Sequence, residues 1–346
     1  MLLRSLLAPL LVFASCAPLH GREPGARFEA LAVPGEALRG NPLGDPVERR
    51  VAIFSPPGVQ PSEALPIVYF LPGWGGSPDE FLEGGAGAIF AQMLGELPAP
   101  GQRVRLVVVD GRTRWGGSQF VNSAATGRYA DYVSDDVVRT VEGRYRVAAG
   151  QRLIAGHSSG AYGALLLAMQ KPRVFAGVVA LSPDSDFEVT HRGLVTQPQV
   201  RRVTRSQAEA WMPPANARPR DGLVSLVCGL CANYAPLGAD QPGRFAWLYD
   251  DRGEWQPATW ARWLEADPLT LIRKNRDAFA ASQRIYLDGA EHDEFLANLG
   301  ARSMHAVLRE RASPCEFYES PGGHSDHLPA RLRRGLQWVL SASEKR

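Results

Sequence analysis

The sequence QRLIAGHSSG, residues 151–160, predicts a buried strand that turns sharply into a helix. Gly156 and Gly160 lie two residues either side of Ser158, in the pattern G-x-S-x-G. A nucleophile elbow requires glycine at these positions because a Cβ would collide with neighbouring backbone. Short patterns of this kind also occur by chance, so the strand before the motif and the small-residue helix from Ser159 to Gln170 are what favour a catalytic role.

Strands and helices alternate along most of the chain. Ile67–Leu71, Val104–Val109 and Phe175–Leu181 are continuous apolar runs, which are typical of strands covered on both faces. This alternation predicts an α/β fold with a mainly parallel sheet, right-handed crossovers and helices on both faces. Reactive groups of such sheets gather beyond the carboxyl ends of the strands, where Ser158 and the loop from Pro72 to Gly76 lie.

The expected domain organisation is a single catalytic domain from residue 49 to residue 346. Residues 17–48 are rich in Gly, Pro and charge, which indicates a tether. Residues 184–257 break the alternation and are rich in tryptophan and proline, which indicates an insertion after the strand that follows the nucleophile helix. This insertion either roofs the active site or forms a packed appendage away from substrate. A single helix is predicted from Pro257 to Lys274.

The N-terminus has the features of an export signal covering residues 1–16. One positive charge is followed by an apolar run that is too short to span a bilayer. Phe13-Ala14-Ser15-Cys16 resembles a bacterial lipobox, which predicts lipidation of Cys16 and a lipid-anchored protein of the bacterial cell envelope, facing the periplasm or the outside. The alternative is ordinary cleavage after Ala17, which would release a secreted enzyme.

Composition excludes several kinds of partner. The chain of 346 residues carries 38 basic and 36 acidic residues, a net charge of +2 spread along its length, so neither nucleic acid nor an acidic partner is indicated. Export implies an oxidising compartment, in which Cys228 and Cys231 are predicted to form a local disulfide. Cys315 is then either a lone buried thiol or the partner of one of these two. No cofactor is implied, and the oligomeric state is not indicated.

A serine nucleophile needs an imidazole to accept its proton and an acid to orient that imidazole. In α/β-hydrolases these residues follow the order serine, acid, histidine. His324 follows the last strand on a Gly-Gly loop and is the predicted base. His191 lies in the insertion, and His305 lies inside a predicted helix. A metal site formed by His324, Asp326 and His327 is disfavoured because no second ligand cluster accompanies it.

The acid is predicted to be Asp293. Asp288 and Glu291 also follow the penultimate strand, but Asp288 lies in a tight Asp-Gly turn, whereas Asp293 is far enough along the loop to reach His324. The oxyanion formed during acyl transfer needs two backbone N–H donors. The predicted donors are Ser159, which follows the nucleophile, and Trp74, in the loop after Leu71.

The chain resembles the esterase D family, which includes S-formylglutathione hydrolases, feruloyl esterases, enterochelin esterases and the antigen 85 mycolyltransferases. By this resemblance Ser158, Asp293 and His324 match the triad, and Trp74 and Ser159 match the oxyanion hole. Asn122 and His157 are candidate substrate-binding residues. Two departures, Ser159 where the family often has Met and Pro72 where it often has His or Asp, are expected to alter the pocket. The motifs that carry the resemblance are Tyr69–Gly76, Asn122–Ser123, Thr126–Tyr129, Gly156–Leu165, Asp267–Pro268, Asp288–Phe295 and Pro321–His324.

These observations predict an exported serine esterase that hydrolyses small-molecule or glycan-linked carboxylic esters through an acyl-enzyme. An acyltransferase of the antigen 85 type would use the same residues with a sugar or another alcohol in place of water. A noncatalytic binding module on a hydrolase fold is the alternative from another class, and the complete triad disfavours it. A prolyl-oligopeptidase-like peptidase is disfavoured because no propeller-sized domain fits in the chain.

Overall fold

One eight-stranded sheet runs through the protein and carries the residues of the site on its loops. The computed structural model describes residues 28–97, 103–212 and 222–341. In chain order the strands are β1 (Phe28–Pro34), β2 (Glu48–Phe54), β3 (Leu65–Leu71), β4 (Arg105–Val108), β5 (Asn122–Ser123), β6 (Gly127–Arg128), β7 (Val147–His157), β8 (Gly177–Leu181), β9 (Arg284–Ala290) and β10 (Cys315–Ser320).

The order across the sheet is β1-β2-β4-β3-β7-β8-β9-β10, while β5 and β6 pair only with each other. The six strands from β4 to β10 in this order are mutually parallel, and β1 and β2 run antiparallel at one edge. The central strand β7 ends at the elbow, so Ser158 lies at the middle of the carboxyl edge. The prediction of a mainly parallel sheet is confirmed.

Helices cover both faces of the sheet. In chain order they are α1 (Asp79–Leu82), α2 (Ala86–Gly95), α3 (Tyr129–Asp131), α4 (Val138–Glu142), α5 (Ser159–Gln170), α6 (Phe187–Thr190), α7 (Arg192–Val195), α8 (Pro198–Arg201), α9 (Arg205–Glu209), α10 (Gly222–Tyr234), α11 (Pro257–Ala266), α12 (Pro268–Lys274), α13 (Ala297–Glu310) and α14 (Leu328–Leu340). A π-helical segment, Tyr132–Val137, joins α3 to α4, and a 3-10 turn spans Glu36–Leu38.

Side chains of each strand alternate between the two apolar layers. In β3, Ile67 and Tyr69 contribute to the layer that contains α5 and α13, whereas Val68 and Phe70 contribute to the layer that contains α2 and α14. Because both layers are apolar, β3 shows the continuous hydrophobic run that the sequence displays. A third apolar cluster, rich in tryptophan and tyrosine, forms the interior of α6–α11.

The segment predicted as a tether is in part a strand. β1 pairs antiparallel with β2 from Phe28↔Phe54 to Pro34↔Glu48, and Val33 is fully buried. The tether prediction is therefore wrong for residues 28–48, and the folded domain includes them. Within this edge strand Val33 is buried and Phe28 and Leu31 are half-buried against the core, so no continuous apolar run marked it in the sequence. Residues 17–27 and the export signal, with Cys16, lie outside the described residues.

The predicted disulfide is also wrong. Cys228 and Cys231 are unpaired and buried on α10, and the half-buried Cys315 is unpaired as well. Residues three apart on a helix have Cβ atoms about 5–6 Å apart, whereas a disulfide requires about 3.8 Å. Burial raises the pKa of both helical thiols, so they stay protonated.

The helix predicted from Pro257 to Lys274 is two helices, α11 and α12. The chain is extended at Asp267, because Pro268 follows it and disfavours helical dihedrals at the preceding residue. The Asp267 carboxylate then caps α12 by accepting the N–H groups of Leu269 (3.2 Å) and Thr270 (3.1 Å). No helix in the described part of the chain is long and apolar enough to cross a membrane.

Close backbone packing at the elbow gives a stability prediction. A Cβ on Gly160 would lie 1.9 Å from the carbonyl oxygen of Leu71, so Gly160→Ala should force the first turn of α5 away from β3. We expect a loss of about 3 kcal/mol or more in the free energy of unfolding, measured by urea denaturation.

Gly95→Ala is the matched control for Gly160→Ala. Gly95 is the last residue of α2, and no atom of the described residues lies within 4 Å of the Cβ that the substitution would add. We expect this variant to be unchanged or more stable by up to about 1 kcal/mol. Equal stabilities of the two variants would contradict the close approach at Gly160.

Candidate active site

Ser158 is held in a strained conformation between β7 and α5. Its φ of 56° and ψ of −124° are unfavourable for a residue with a Cβ and cost on the order of 1–3 kcal/mol. The Ser158 N–H donates to the carbonyl oxygen of Leu181 (2.9 Å), and the Tyr162 N–H donates to the carbonyl oxygen of Ser158 (3.0 Å). These bonds tie the residue to β8 and α5, while the side chain stays half-buried at the edge of the sheet.

His324 and Asp293 meet at the neighbouring loops. His324 Nδ1 lies 2.8 Å from Asp293 Oδ2, and both side chains are almost fully buried. Asp293 Oδ1 also accepts the N–H groups of Phe295 (3.0 Å) and Ala297 (3.3 Å). A carboxylate only accepts hydrogen bonds, so Nδ1 carries the proton and Nε2 keeps a lone pair. That Nε2 atom is buried and has no hydrogen-bond partner among the residues that the structure describes.

The Asp293 carboxyl is charged. Burial alone would raise its pKa, but the hydrogen bond from His324 and the electrostatic interaction with that ring, with a further bond from the Ser182 hydroxyl, outweigh burial and lower the pKa below its usual value. An ionised acid at this position fixes the imidazole tautomer and stabilises the imidazolium that would form on proton uptake.

His157 places the imidazole of His324 beside the elbow. The two rings have centroids 4.8 Å apart, and His157 Nε2 lies 3.0 Å from the carbonyl oxygen of His324. His157 directly precedes Ser158, so this contact joins the loop of the predicted base to the residue next to the predicted nucleophile. The His157 ring is buried and engaged with this carbonyl, and a contact with substrate stays a prediction.

Arg331 is a second anchor for His324, and sequence analysis missed it. Its Nη1 donates to the carbonyl oxygen of His324 (2.9 Å) and its Nη2 to the Ser182 hydroxyl (2.6 Å). Its Nε donates to Asp288 Oδ1 (2.8 Å), and Asp288 Oδ2 accepts the hydroxyl of Ser320 (2.6 Å). Asp288 thus pairs with a buried arginine and not with His324. Removing one member of such a buried pair typically costs about 3–5 kcal/mol.

The two predicted oxyanion donors lie on elements in direct contact. Ser159 opens α5, and the close approach of Gly160 to Leu71 brings this helix end against the loop that contains Trp74. Backbone N–H groups at a helix start are suited to bind negative charge. The Trp74 indole is half-buried, and a Cβ at Gly116 or Gly229 would lie 2.4 or 2.5 Å from it, so the loop is packed on both sides.

The insertion contacts this site. Gly229, which packs against the Trp74 ring, belongs to α10, and Tyr234 at the end of the same helix receives a hydrogen bond from Gln119 Nε2. Gln119 also donates to Asp184, at the start of the insertion, over 3.1 Å. These residues of the insertion therefore pack against the candidate site. Whether they touch substrate stays a prediction. Gln119 and Asp184 lie in no recognisable sequence motif. The fold brings them beside the elbow, so the sequence did not indicate their position.

Asn122 is used by the local backbone. Its Oδ1 accepts the N–H groups of Ala130 (3.0 Å) and Asp131 (3.2 Å), and its Nδ2 donates to Asp131 Oδ2 (2.9 Å). These bonds order the start of α3, and a role in substrate binding stays a prediction. In the described ranges no group of three or more His, Cys, Asp and Glu could hold a metal ion. Asp326 instead accepts the N–H of Gly323 (2.8 Å).

Comparison with known proteins assigns the family. The family model described as "Putative esterase" matches residues 46–330. The chain belongs to this family of esterases and is a carboxylic ester hydrolase. Its sequence matches no curated protein at a significant level.

Solved structures share the fold at low sequence identity. A ferulic acid esterase has a TM-score of 0.59 at 17% identity, covering 92% of this chain and 98% of that one. An S-formylglutathione hydrolase from Agrobacterium tumefaciens has a TM-score of 0.58 at 16% identity, with 93% and 97% covered. The fluorophosphonate-binding serine hydrolase FphF of Staphylococcus aureus has a TM-score of 0.56 at 14% identity, with 91% and 99% covered. The α/β-hydrolase fold predicted from the sequence is confirmed.

The burial of His157 gives a pH prediction. Burial, reinforced by the nearby His324 and Arg331, holds the pKa of His157 well below its usual value of 6.5. The unfolded chain therefore binds a proton that the folded chain does not, so stability is full above pH 6.5 and falls as the pH drops below it. We expect protonation of His157 in the unfolded chain to lower the free energy of unfolding by up to about 1.4 kcal/mol for each pH unit below 6.5.

Urea denaturation at pH 7, 6 and 5 measures this slope. His157→Gln should make the free energy of unfolding less dependent on pH. Part of the dependence should remain, because burial also lowers the pKa of His191. His292→Gln is the control, because His292 is exposed and should leave the slope of the wild type unchanged. A slope in His157→Gln as steep as in the wild type would show that His157 takes up no proton on unfolding.

Proposed function

We propose that this protein is an exported serine esterase that acts through an acyl-enzyme on Ser158, with His324 as base and Asp293 as the orienting acid. One observation carries the proposal. The imidazole of His324 is bonded to Asp293 through Nδ1, lies against the ring next to Ser158, and has an unpartnered Nε2. General-base activation requires this lone pair to accept the proton of the Ser158 hydroxyl, which it can do once Oγ comes within hydrogen-bond distance of Nε2.

Acylation begins when Ser158 Oγ attacks the carbonyl carbon of the ester while its proton passes to His324 Nε2. The carbonyl electrons move to the oxygen, and the N–H groups of Ser159 and Trp74 donate to this oxyanion. When the carbonyl re-forms, the bond to the alcohol oxygen breaks, and the leaving alkoxide takes the proton from Nε2. The products of this step are the free alcohol and an ester of Ser158.

Deacylation repeats these steps with water as the nucleophile. His324 Nε2 takes a proton from water, the hydroxide adds to the acyl carbon, and Ser158 Oγ leaves with that proton. Asp293 stays ionised throughout and stabilises the imidazolium in both halves. An alcohol in place of water would transfer the acyl group instead, so the ratio of hydrolysis to transfer in the presence of glycerol or glucose measures which reaction dominates.

The nucleophile has a direct test. Ser158→Ala removes the attacking oxygen, and we expect kcat/KM for a short acyl ester to fall by about a thousandfold or more. A fluorophosphonate probe should label the wild type at Ser158, as located by mass spectrometry, and should not label the variant.

Ser341→Ala is the control for the loss of a hydroxyl, because that exposed side chain bonds only the Trp338 carbonyl within the described residues. It should keep both activity and labelling. Retained activity in folded Ser158→Ala would refute the catalytic role of this serine. An unlabelled and inactive wild type would favour a noncatalytic binding module.

Export and lipidation are part of the proposal and rest on the N-terminal sequence, with Cys16 as the acceptor. We expect the full-length protein expressed in a Gram-negative bacterium to incorporate labelled palmitate and to fractionate with membranes. Cys16→Ala should abolish the label and release the protein. Palmitate incorporation that persists in Cys16→Ala would rule out this site, and a wild type recovered only in the medium would favour cleavage after Ala17.

A further inference from the structure

A polar group that the reaction steps do not use lies next to the elbow. Asp184 Oδ2 accepts hydrogen bonds from Gln119 Nε2 (3.1 Å) and from the hydroxyl of Ser159 (3.4 Å). Ser159 directly follows the proposed nucleophile. Asp184 lies three residues beyond β8, whose last residue binds the Ser158 N–H. The three polar side chains therefore lie at the carboxyl edge of the sheet, beside the reacting serine.

Two oxygens of this group have no hydrogen-bond partner among the described residues. Gln119 is fully buried, and its Oε1 is unpartnered. Asp184 is only 9% exposed; its two hydrogen bonds both end on Oδ2, and no described arginine or lysine forms an ion pair with it. Nε2 and Oε1 belong to one amide, so the free oxygen of Gln119 lies on the same group that contacts the carboxylate through Nε2. Leaving the buried Oε1 of Gln119 unpaired is costly, and Asp184 Oδ1 beside it is also available to a donor, which together point to a ligand that supplies donors.

The position of Gln119 is fixed by unusual backbone geometry. Gln119 and Phe120 both have positive φ, 51° and 54°. A Cβ at Gly111 or Gly163 would lie 2.3 or 2.7 Å from Phe120, so these glycines admit its side chain. Strain of this kind in consecutive residues persists only where packing enforces it, and it concentrates at functional sites. Tyr234 of α10 accepts a further bond from Gln119 Nε2, which holds the amide oriented toward Asp184.

We propose that Asp184 and Gln119 form a specificity subsite for a vicinal diol, so that the substrate is the ester of a sugar or polyol, or of a dihydroxylated acid. A vicinal diol brings one O–H to the Asp184 carboxylate and one to Gln119 Oε1, which satisfies both free acceptors. This inference rests on the proposed function of Ser158, which supplies the reaction.

Other chemical classes fit the subsite less well. A carboxylate or phosphate would meet the unpaired charge of Asp184 and would be repelled. An alkyl chain would leave both acceptors buried without partners. An alkylammonium has three donors for two acceptors, so one N–H would be buried unpaired. Neighbouring hydroxyls match the subsite in number and in polarity.

Matched esters test the subsite. The alcohol series is glycerol 1-acetate, 1,3-propanediol monoacetate, 2-aminoethyl acetate and propyl acetate; the acyl series is methyl 2,3-dihydroxypropanoate and methyl propanoate. If the subsite binds the alcohol part, the wild type should have a kcat/KM at least about tenfold higher for glycerol 1-acetate than for propyl acetate. If it binds the acyl part, the same difference should separate methyl 2,3-dihydroxypropanoate from methyl propanoate. Asp184→Asn should lower the ratio of kcat/KM for the diol ester to kcat/KM for the unsubstituted ester by about tenfold. Gln119→Met should also lower this ratio, so the proposal can still be tested if Asp184→Asn folds poorly.

Asp136→Asn is the control for removing a buried carboxylate. Asp136 lies on the π-helical segment and accepts hydrogen bonds from the Ala37 N–H and from Arg139 Nη2, and its substitution should leave the diol ratio and basal activity unchanged. The proposal is overturned if the wild type shows no diol preference in either series, if it favours 2-aminoethyl acetate, or if the ratio survives in folded Asp184→Asn. Failure of the proposed function itself is distinguishable, because Ser158 would then escape fluorophosphonate labelling and no ester would be turned over.

Discussion

The site depends on the contact between the first turn of α5 and the end of β3. Only a hydrogen atom fits at the α-carbon of Gly160, because any Cβ would lie 1.9 Å from the carbonyl oxygen of Leu71. This contact allows α5 to start directly after β7 and forces Ser158 to a positive φ. The strain in one residue is offset by the apolar layers that hold both elements, and the result is a half-buried hydroxyl at a helix start.

The proposed base, His324, is fixed by a second set of interactions. Asp293 holds the imidazole ring of His324 from one side, while His157 and Arg331 both bond its main-chain carbonyl. The ring and the backbone of the same residue are thus fixed by different partners. Preorganisation of this kind lowers the cost of aligning the base with a nucleophile.

Sequence patterns predicted the parts of the structure that depend on short-range rules. The elbow, the central apolar strands and the loops that bring Asp293 and His324 together all have local signatures. β1 was missed because an edge strand buries few side chains, and a Gly- and Pro-containing segment resembles a tether. Cys228 and Cys231 appeared able to pair because spacing in sequence does not show that a helix carries both.

Contacts between distant residues could not be predicted from the sequence. Gln119 and Asp184 are 65 residues apart, and Arg331 and Ser182 are 149 residues apart, yet both pairs are hydrogen-bonded. Neither pair lies in a recognisable motif, since a buried polar contact is specified by the whole fold. Because these side chains are buried, their hydrogen bonds are stronger than the same bonds would be in water, and the residue types alone do not indicate this.

Gly229 shows how the insertion and the catalytic core depend on each other. Helix α10 lies so close to the Trp74 indole that any larger side chain at Gly229 would collide with it, and Trp74 is the proposed second oxyanion donor. An exchange of this segment with that of a related enzyme would therefore change more than the choice of substrate. It would also alter the support of the loop proposed to stabilise developing negative charge, so specificity and turnover are expected to be coupled in any attempt to redesign this region.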